Sequence, residues 1–142
     1  MGLFGYISQF FVLMILTCSV VSADVFIVTN AENELDELDT KQIVDIFMGR
    51  TKFYPTGKRI VLVDQDLSST VTETFYQKLV NKTINEINSY RSRLLFSGRS
   101  VLPRQLDDNN TVIEFLRHEK DAIGYIDLPE VTKDLKVIGH VK

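Results

Sequence analysis

Residues 60–79 read IVLVDQDLSSTVTETFYQKL, and the fold turns on them. Ile60 to Val63 is a short apolar run that ends in acids, Asp64 and Asp66. Ser68, Ser69 and Thr70 follow, and then Val71, Phe75 and Leu79 recur four apart. A continuous apolar run bounded by polar residues reads as a buried strand, and apolar residues four apart read as one face of a helix. The stretch is therefore strand, loop, helix, with hydroxyl side chains at the helix start. The first turn of a helix carries unpaired backbone N–H groups and a partial positive charge. Hydroxyls placed there either cap the helix or help to hold an anion.

The same alternation extends in both directions. Val25 to Val28 is a second apolar run and suits a strand buried on both faces. Asn30 to Asp39 is polar and acidic and reads as a loop. Thr40 is placed to cap a helix with an Ile43, Val44, Phe47 stripe, and Gly49 sits where a helix-terminating glycine belongs. Arg50 to Lys58, with Pro55 and Gly57, is a turn. Thr83 and Glu86 form a capping-box pair at the start of a third helix. Its apolar face is Ile84, Ile87, Tyr90 or Arg91, and Leu94-Leu95, and Gly98 ends it. Arg99 to Asp108, with Pro103, reads as an extended loop, and Asn110 as the cap of a fourth helix bearing Val112, Ile113 and Leu116. Ala122 to Ile126 reads as a short strand broken by Gly124, and Leu135 to Ile138 as the last strand. Strands alternating with helices predict an α/β domain, a central sheet flanked by helices. Phe47, Phe75, Leu79 and Leu94 are the expected core anchors of its helices.

The 142 residues suffice for one domain. Met1 to Ala23 carries no charged side chain, is almost wholly apolar from Phe10 to Val21, and ends in small residues. It reads as a secretory signal peptide, residues 1–23, ahead of a domain over 24–142. Its n-region has no Lys or Arg, so an uncleaved membrane anchor is the competing reading and the only expected route to a membrane. The location expected is periplasmic or secreted. Cys18 is the single cysteine and lies in that segment, so the rest of the chain has neither disulfide nor thiolate ligand. With a net charge of −3 and no basic stripe, the chain is not patterned for nucleic acid.

Enzyme signatures are absent: there is no GxSxG, GxxxxGK[ST] or GxGxxG. His118 and His140 lack a ligand-spaced partner, and neither Asp107-Asp108 nor the acids of Glu32 to Asp39 follow calcium-loop spacing, so no metal, cofactor or catalytic residue is expected. The binding candidates are two. One is the Ser68-Ser69-Thr70 turn with Asp66. The other is the arginine group Arg91, Arg93, Arg99 and Arg104, whose planar forks suit phosphate or carboxylate. Arg91 and Arg93 are two apart on a helix and cannot share a face, so at most part of the group converges.

Three segments in order carry a resemblance to a known family. TKQIVDIFMGR (40–50), IVLVDQDLSSTVTETFYQKL (60–79) and AIGYID (122–127) resemble pieces of the phosphate ABC transporter substrate-binding proteins. The second stands where that family has a strand and an Arg-Ser-Asp-Gly-Ser-Gly-Thr loop entering a helix, and the third where it has Gly-Ala-Ile-Gly-Tyr-Val. The resemblance implies a type 2 periplasmic-binding-protein fold. This chain has room for a single lobe, most similar to the second. It implies ligand contacts at Asp66, Ser68, Ser69 and Thr70, with Arg93 or Arg99 assisting, and phosphate or another small oxyanion as ligand. Asp66, Ser68 and Thr70 match the family loop, whereas Asp64 stands at its Arg and Leu67 and Ser69 replace glycines. An acid in place of that Arg repels a dianion, and lost glycines keep the backbone at a distance. The expectation is an exported, non-enzymatic binding protein with a weak or degenerate anion site. The alternative is a periplasmic accessory module that has kept the fold, lost the ligand, and binds a protein partner.

Overall fold

The computed structural model describes residues 23–99, 102–127 and 133–142. Apart from Ala23, the signal segment expected at 1–23 lies outside the described residues. The elements run β1 (Val25–Asn30), α1 (Thr40–Phe47), β2 (Val61–Gln65), α2 (Thr70–Val80), α3 (Ile84–Phe96), β3 (Arg104–Leu106), α4 (Asn109–His118), β4 (Ala122–Ile126) and β5 (Leu135–Val141).

The strands form one five-stranded sheet in the order β3-β2-β4-β1-β5. β2 is parallel to β3 and β4, pairing Asp64 with Gln105 and Leu62 with Ile123. β1 runs antiparallel to β4, with Ile27 opposite Tyr125, and antiparallel to β5, with a register shift between Ile27 and Val28. The carboxyl ends of β2, β3 and β4 therefore share one end of the sheet. That is where open α/β sheets bind ligands.

Side-chain alternation along the strands divides the core in two. Val25, Ile27, Leu62, Ile123 and Tyr125 join Ile43, Phe47, Phe75, Tyr76 and Ile87 of α1, α2 and α3 on one face. Val28, Val63, Ala122 and Ile126 join Val112 and Leu116 of α4 on the other. A sheet covered on both faces gives the continuous apolar strands seen in the sequence. At the centre, Phe75 stacks on Tyr125 with centroids 3.9 Å apart, and Phe47 meets Phe75 edge to face at 4.9 Å. β4 runs unbroken through Gly124, where a Cβ would lie 3.0 Å from a Val112 methyl. The glycine lets α4 approach the sheet; it does not interrupt the strand.

Some expectations shift. The stretch 99–108 is not all loop: Arg104–Leu106 is the edge strand β3. Asp39, not Thr40, caps α1, through a box with Gln42, and Asp108, not Asn110, caps α4. In both cases a carboxylate one or two residues upstream reaches the N3 amide with the same geometry as the hydroxyl or amide foreseen. Phe47 and Phe75 are fully buried, but Leu79 and Leu94 are only half-buried. The inward position on α3 belongs instead to Arg91, at 9 % exposure. Thr83 and Glu86 form the capping box of α3, and Gly98 follows it with φ +69°.

Candidate anion-binding site

β2 delivers its chain to the carboxyl end of the parallel strands at Gln65, and α2 starts five residues later. Asp66 organises the turn between them. Its carboxylate accepts the Ser68 backbone N–H at 2.8 Å and the Ser68 hydroxyl at 2.7 Å. Its carbonyl accepts the Ser69 N–H at 2.9 Å and the Thr72 hydroxyl at 2.8 Å. Ser69 is the N-cap, its Oγ accepting the Val71 N–H at 3.2 Å. Thr70 opens the helix and is exposed, as are Asp66 and Ser68. The Ser68 hydroxyl, and next its backbone N–H, hold the Asp66 carboxyl below its ordinary value of 3.8. Asp66 thus sits as a built-in anion on two of the donors that the turn offers.

Asp64 is not the open, repelling acid that its place in the loop suggested. It is 1 % exposed and turned into the helical layer. Arg91 Nη1 lies 2.9 Å from its carboxylate. The Tyr76 hydroxyl donates to it at 2.8 Å, the Gln65 N–H at 2.9 Å, and the Tyr125 hydroxyl also donates to it. Arg91 Nη2 donates in turn to the Tyr76 hydroxyl and, at 3.4 Å, to the Phe47 carbonyl. The Tyr125 hydroxyl also lies 3.1 Å from Thr72 Oγ1. A buried charge is tolerable when it is paired and its remaining lone pairs are filled, and this network meets both conditions. Burial, followed by the Asp64 charge, pushes the Tyr76 and Tyr125 phenols well above their ordinary range and keeps them as donors.

The arginines do not converge. Arg91 is committed to Asp64. Arg93 projects from the outer side of α3 into a hollow of about 350 Å³ with Lys82, Asn85, Glu86, Ser89 and Tyr90, none of which belongs to the Ser68–Thr70 turn. Arg99 is exposed just beyond Gly98. Arg104 lies over the Phe115 ring at 4.7 Å. Beside the turn is a different groove, about 290 Å³, lined by Leu67, Leu95, Leu102 and Pro103 with Asn88, Arg91, Ser92 and Gln105.

α4 also starts at this end of the sheet. Asp108 caps it, accepting the Thr111 N–H and hydroxyl at 2.8 Å each. Gln65, 1 % exposed, donates to the Tyr125 carbonyl at 2.8 Å and to Asn109 Oδ1 at 2.9 Å, and Asn109 donates to Asp127 at 2.5 Å. Both helix N-termini at this end therefore carry a carboxylate supplied by the chain itself. His118 lies on the surface beside Glu114, 3.0 Å away, and the described residues bring no group of metal-ligating side chains together. The buried Asp64–Arg91–Tyr76–Tyr125 network was not foreseen as a unit. Its one signal in the sequence is an acid directly after Val63 in a buried strand.

No protein-family profile matches the chain, and no curated protein matches it. Solved structures do. It superposes on a phosphate ABC transporter substrate-binding protein of Clostridium perfringens, solved with bound phosphate, with a TM-score of 0.64 and 18 % identity over 82 % of this chain. It superposes on an ABC-type phosphate transport receptor of Vibrio cholerae at 0.63 and 20 % identity, again over 82 % of this chain, and on PstS of Borrelia burgdorferi at 0.57 and 19 % over 73 %. It spans 45 %, 46 % and 41 % of those chains, less than half the length of each. At these identities the likeness is one of fold: the chain has the architecture of a single lobe of a type 2 periplasmic-binding protein.

Proposed function

We propose that this chain is an exported, non-enzymatic solute-binding protein of the phosphate-receptor type, with the architecture of one lobe and a weakened oxyanion site at the start of α2. In this reading Met1 to Ala23 is its signal peptide and the periplasm, or the exterior, is where it works. The observation that carries the reading is the Asp66–Thr70 turn. It opens a helix at the carboxyl end of a parallel strand, where backbone N–H groups and hydroxyls gather, and the neighbours in fold include a receptor solved with phosphate. The weakness follows from Asp66, which already accepts from Ser68, and from Arg91, whose charge is spent on Asp64. Arg93 and Arg99 would assist only as long-range charge.

Calorimetric titration with phosphate and with sulfate tests it. The expected affinity is on the order of millimolar, because half a cleft leaves water competing for the anion. Ser68→Ala with Thr70→Ala should abolish the heat. Titrations that give no heat with the parent, or the same heat with the double variant, would reject the site.

A further inference from the structure

We infer that the far end of α3, with the start of β3, is an attachment surface for an anionic lipid bilayer. Phe96 is 91 % exposed, Leu102 58 % and Leu95 49 %, so three of the five large exposed apolar side chains of the described residues gather here. Phe53 and Val137, the other two, stand on the Thr51–Pro55 hollow and on β5. Exposed apolar side chains gathered in one place mark a contact surface, whereas single ones need no explanation.

Charge says what the surface meets. From Ile87 to Leu106 the chain has four arginines and no Asp or Glu, although the whole carries 19 acids and a net charge of −3. Arg91 is neutralised inside by Asp64. Among the described residues the arginines in ion pairs are Arg50, Arg91 and Arg117, and Arg93, Arg99 and Arg104 form none there. Arg93 and Arg99 stand three residues before and three residues after Phe96. On α3 the spacing from Arg93 to Phe96 places the two side by side. An aromatic projecting at a helix end with arginines on both sides matches the interface of an anionic membrane. The ring enters the headgroup level, and the long arginine stems lie along it with their heads at the phosphates. A protein partner would need a broad complementary face, and the exposed apolar surface here is three side chains. The inference does not rest on oxyanion binding, although Leu67 of the Asp66–Thr70 turn lines one groove with Leu95 and Leu102 and the charges of Arg93 and Arg99 serve both readings.

The chain contains no tryptophan, so Phe96→Trp provides a single local reporter in the full-length protein, with Phe53→Trp as its control elsewhere on the surface. A reporter at this position reads insertion of the tip separately from any effect of the apolar N-terminal segment. With vesicles of mixed phosphatidylglycerol and phosphatidylcholine, the emission at position 96 should shift to the blue and be quenched by brominated acyl chains. Pure phosphatidylcholine should do neither, and added salt should reverse the effect. Arg93→Gln and Arg99→Gln should each weaken vesicle binding roughly fivefold. A reporter at 96 that stays silent on anionic vesicles in a folded protein overturns the inference. So does an equal response at position 53, an equal response on pure phosphatidylcholine, or a shift at 96 that follows protein concentration without lipid, which would make the tip a contact between copies.

Discussion

Asp64 and Arg91 show how far one pair of residues departs from its expected role. As a sequence, Asp64 occupies the place of a ligand-binding arginine and Arg91 belongs to a cluster of cations. In the fold they neutralise each other at 1 % and 9 % exposure, with two phenols filling the remaining lone pairs. Removing one partner of such a pair leaves the other buried and uncompensated, which typically costs about 3–5 kcal/mol. Asp64→Ala should therefore lower the stability by about that amount in urea unfolding. Asp64→Leu combined with Arg91→Met should recover most of it. Asp64→Arg, which would restore only the arginine of the family's loop, should unfold the protein before it can bind anything, because it puts two guanidinium groups into one buried site. Asp66 obeys a different rule. Its folded pKa is depressed by Ser68, so its contribution to stability is present above its ordinary value of 3.8 and is lost as pH falls through the folded value. Asp66→Asn should lower the stability modestly at neutral pH and flatten the acid side of the profile in thermal melts, parent and variant converging as pH falls below about 4.

The helices separate what periodicity reveals from what it hides. Phe75 falls on the α2 stripe and lies at the centre of the aromatic cluster, stacked at 3.9 Å on Tyr125. Phe75→Ala should cost roughly 3–5 kcal/mol. Leu94 falls on the corresponding stripe of α3 but is half-buried, since α3 packs on α2 and turns Ile87 and Arg91 inward. Leu94→Ala should cost under about 1.5 kcal/mol by chemical denaturation, and equal losses for the two would mean that α3 is seated differently. The caps at Thr83 and Gly98 were legible because each requires particular residue types at fixed offsets. β3 was not legible. It is three residues long, follows Pro103, and starts with Arg104 and Gln105, whose polar side chains suit an exposed edge. Nor does any local pattern reveal that β1 runs against β4 while β2 runs with it, because pairing direction is set between segments distant in the chain.

For the whole molecule, the resemblance read from three short segments and the superposition on solved receptors agree on the fold, and the chain spans less than half of those receptors. The candidate turn after β2 was legible as a strand–turn–helix junction, and its hydrogen bonding was not. The hydrogen bonds that fill it with the chain's own carboxylates depend on side-chain directions that no spacing gives. A single lobe that binds an oxyanion weakly should still be stabilised by it. A ligand at tenfold over its dissociation constant adds about 1.4 kcal/mol to the folded state. For a domain of this size that should raise the melting temperature by roughly 4–8 °C. Phosphate and sulfate also stabilise proteins without any site, by exclusion from their surfaces, so the rise alone decides nothing. The site-specific part should saturate near millimolar phosphate, whereas the general part keeps growing linearly with salt. In Ser68→Ala with Thr70→Ala only the linear part should remain. A melting curve that climbs linearly and identically in parent and variant would mean that this lobe holds no oxyanion at the turn after β2.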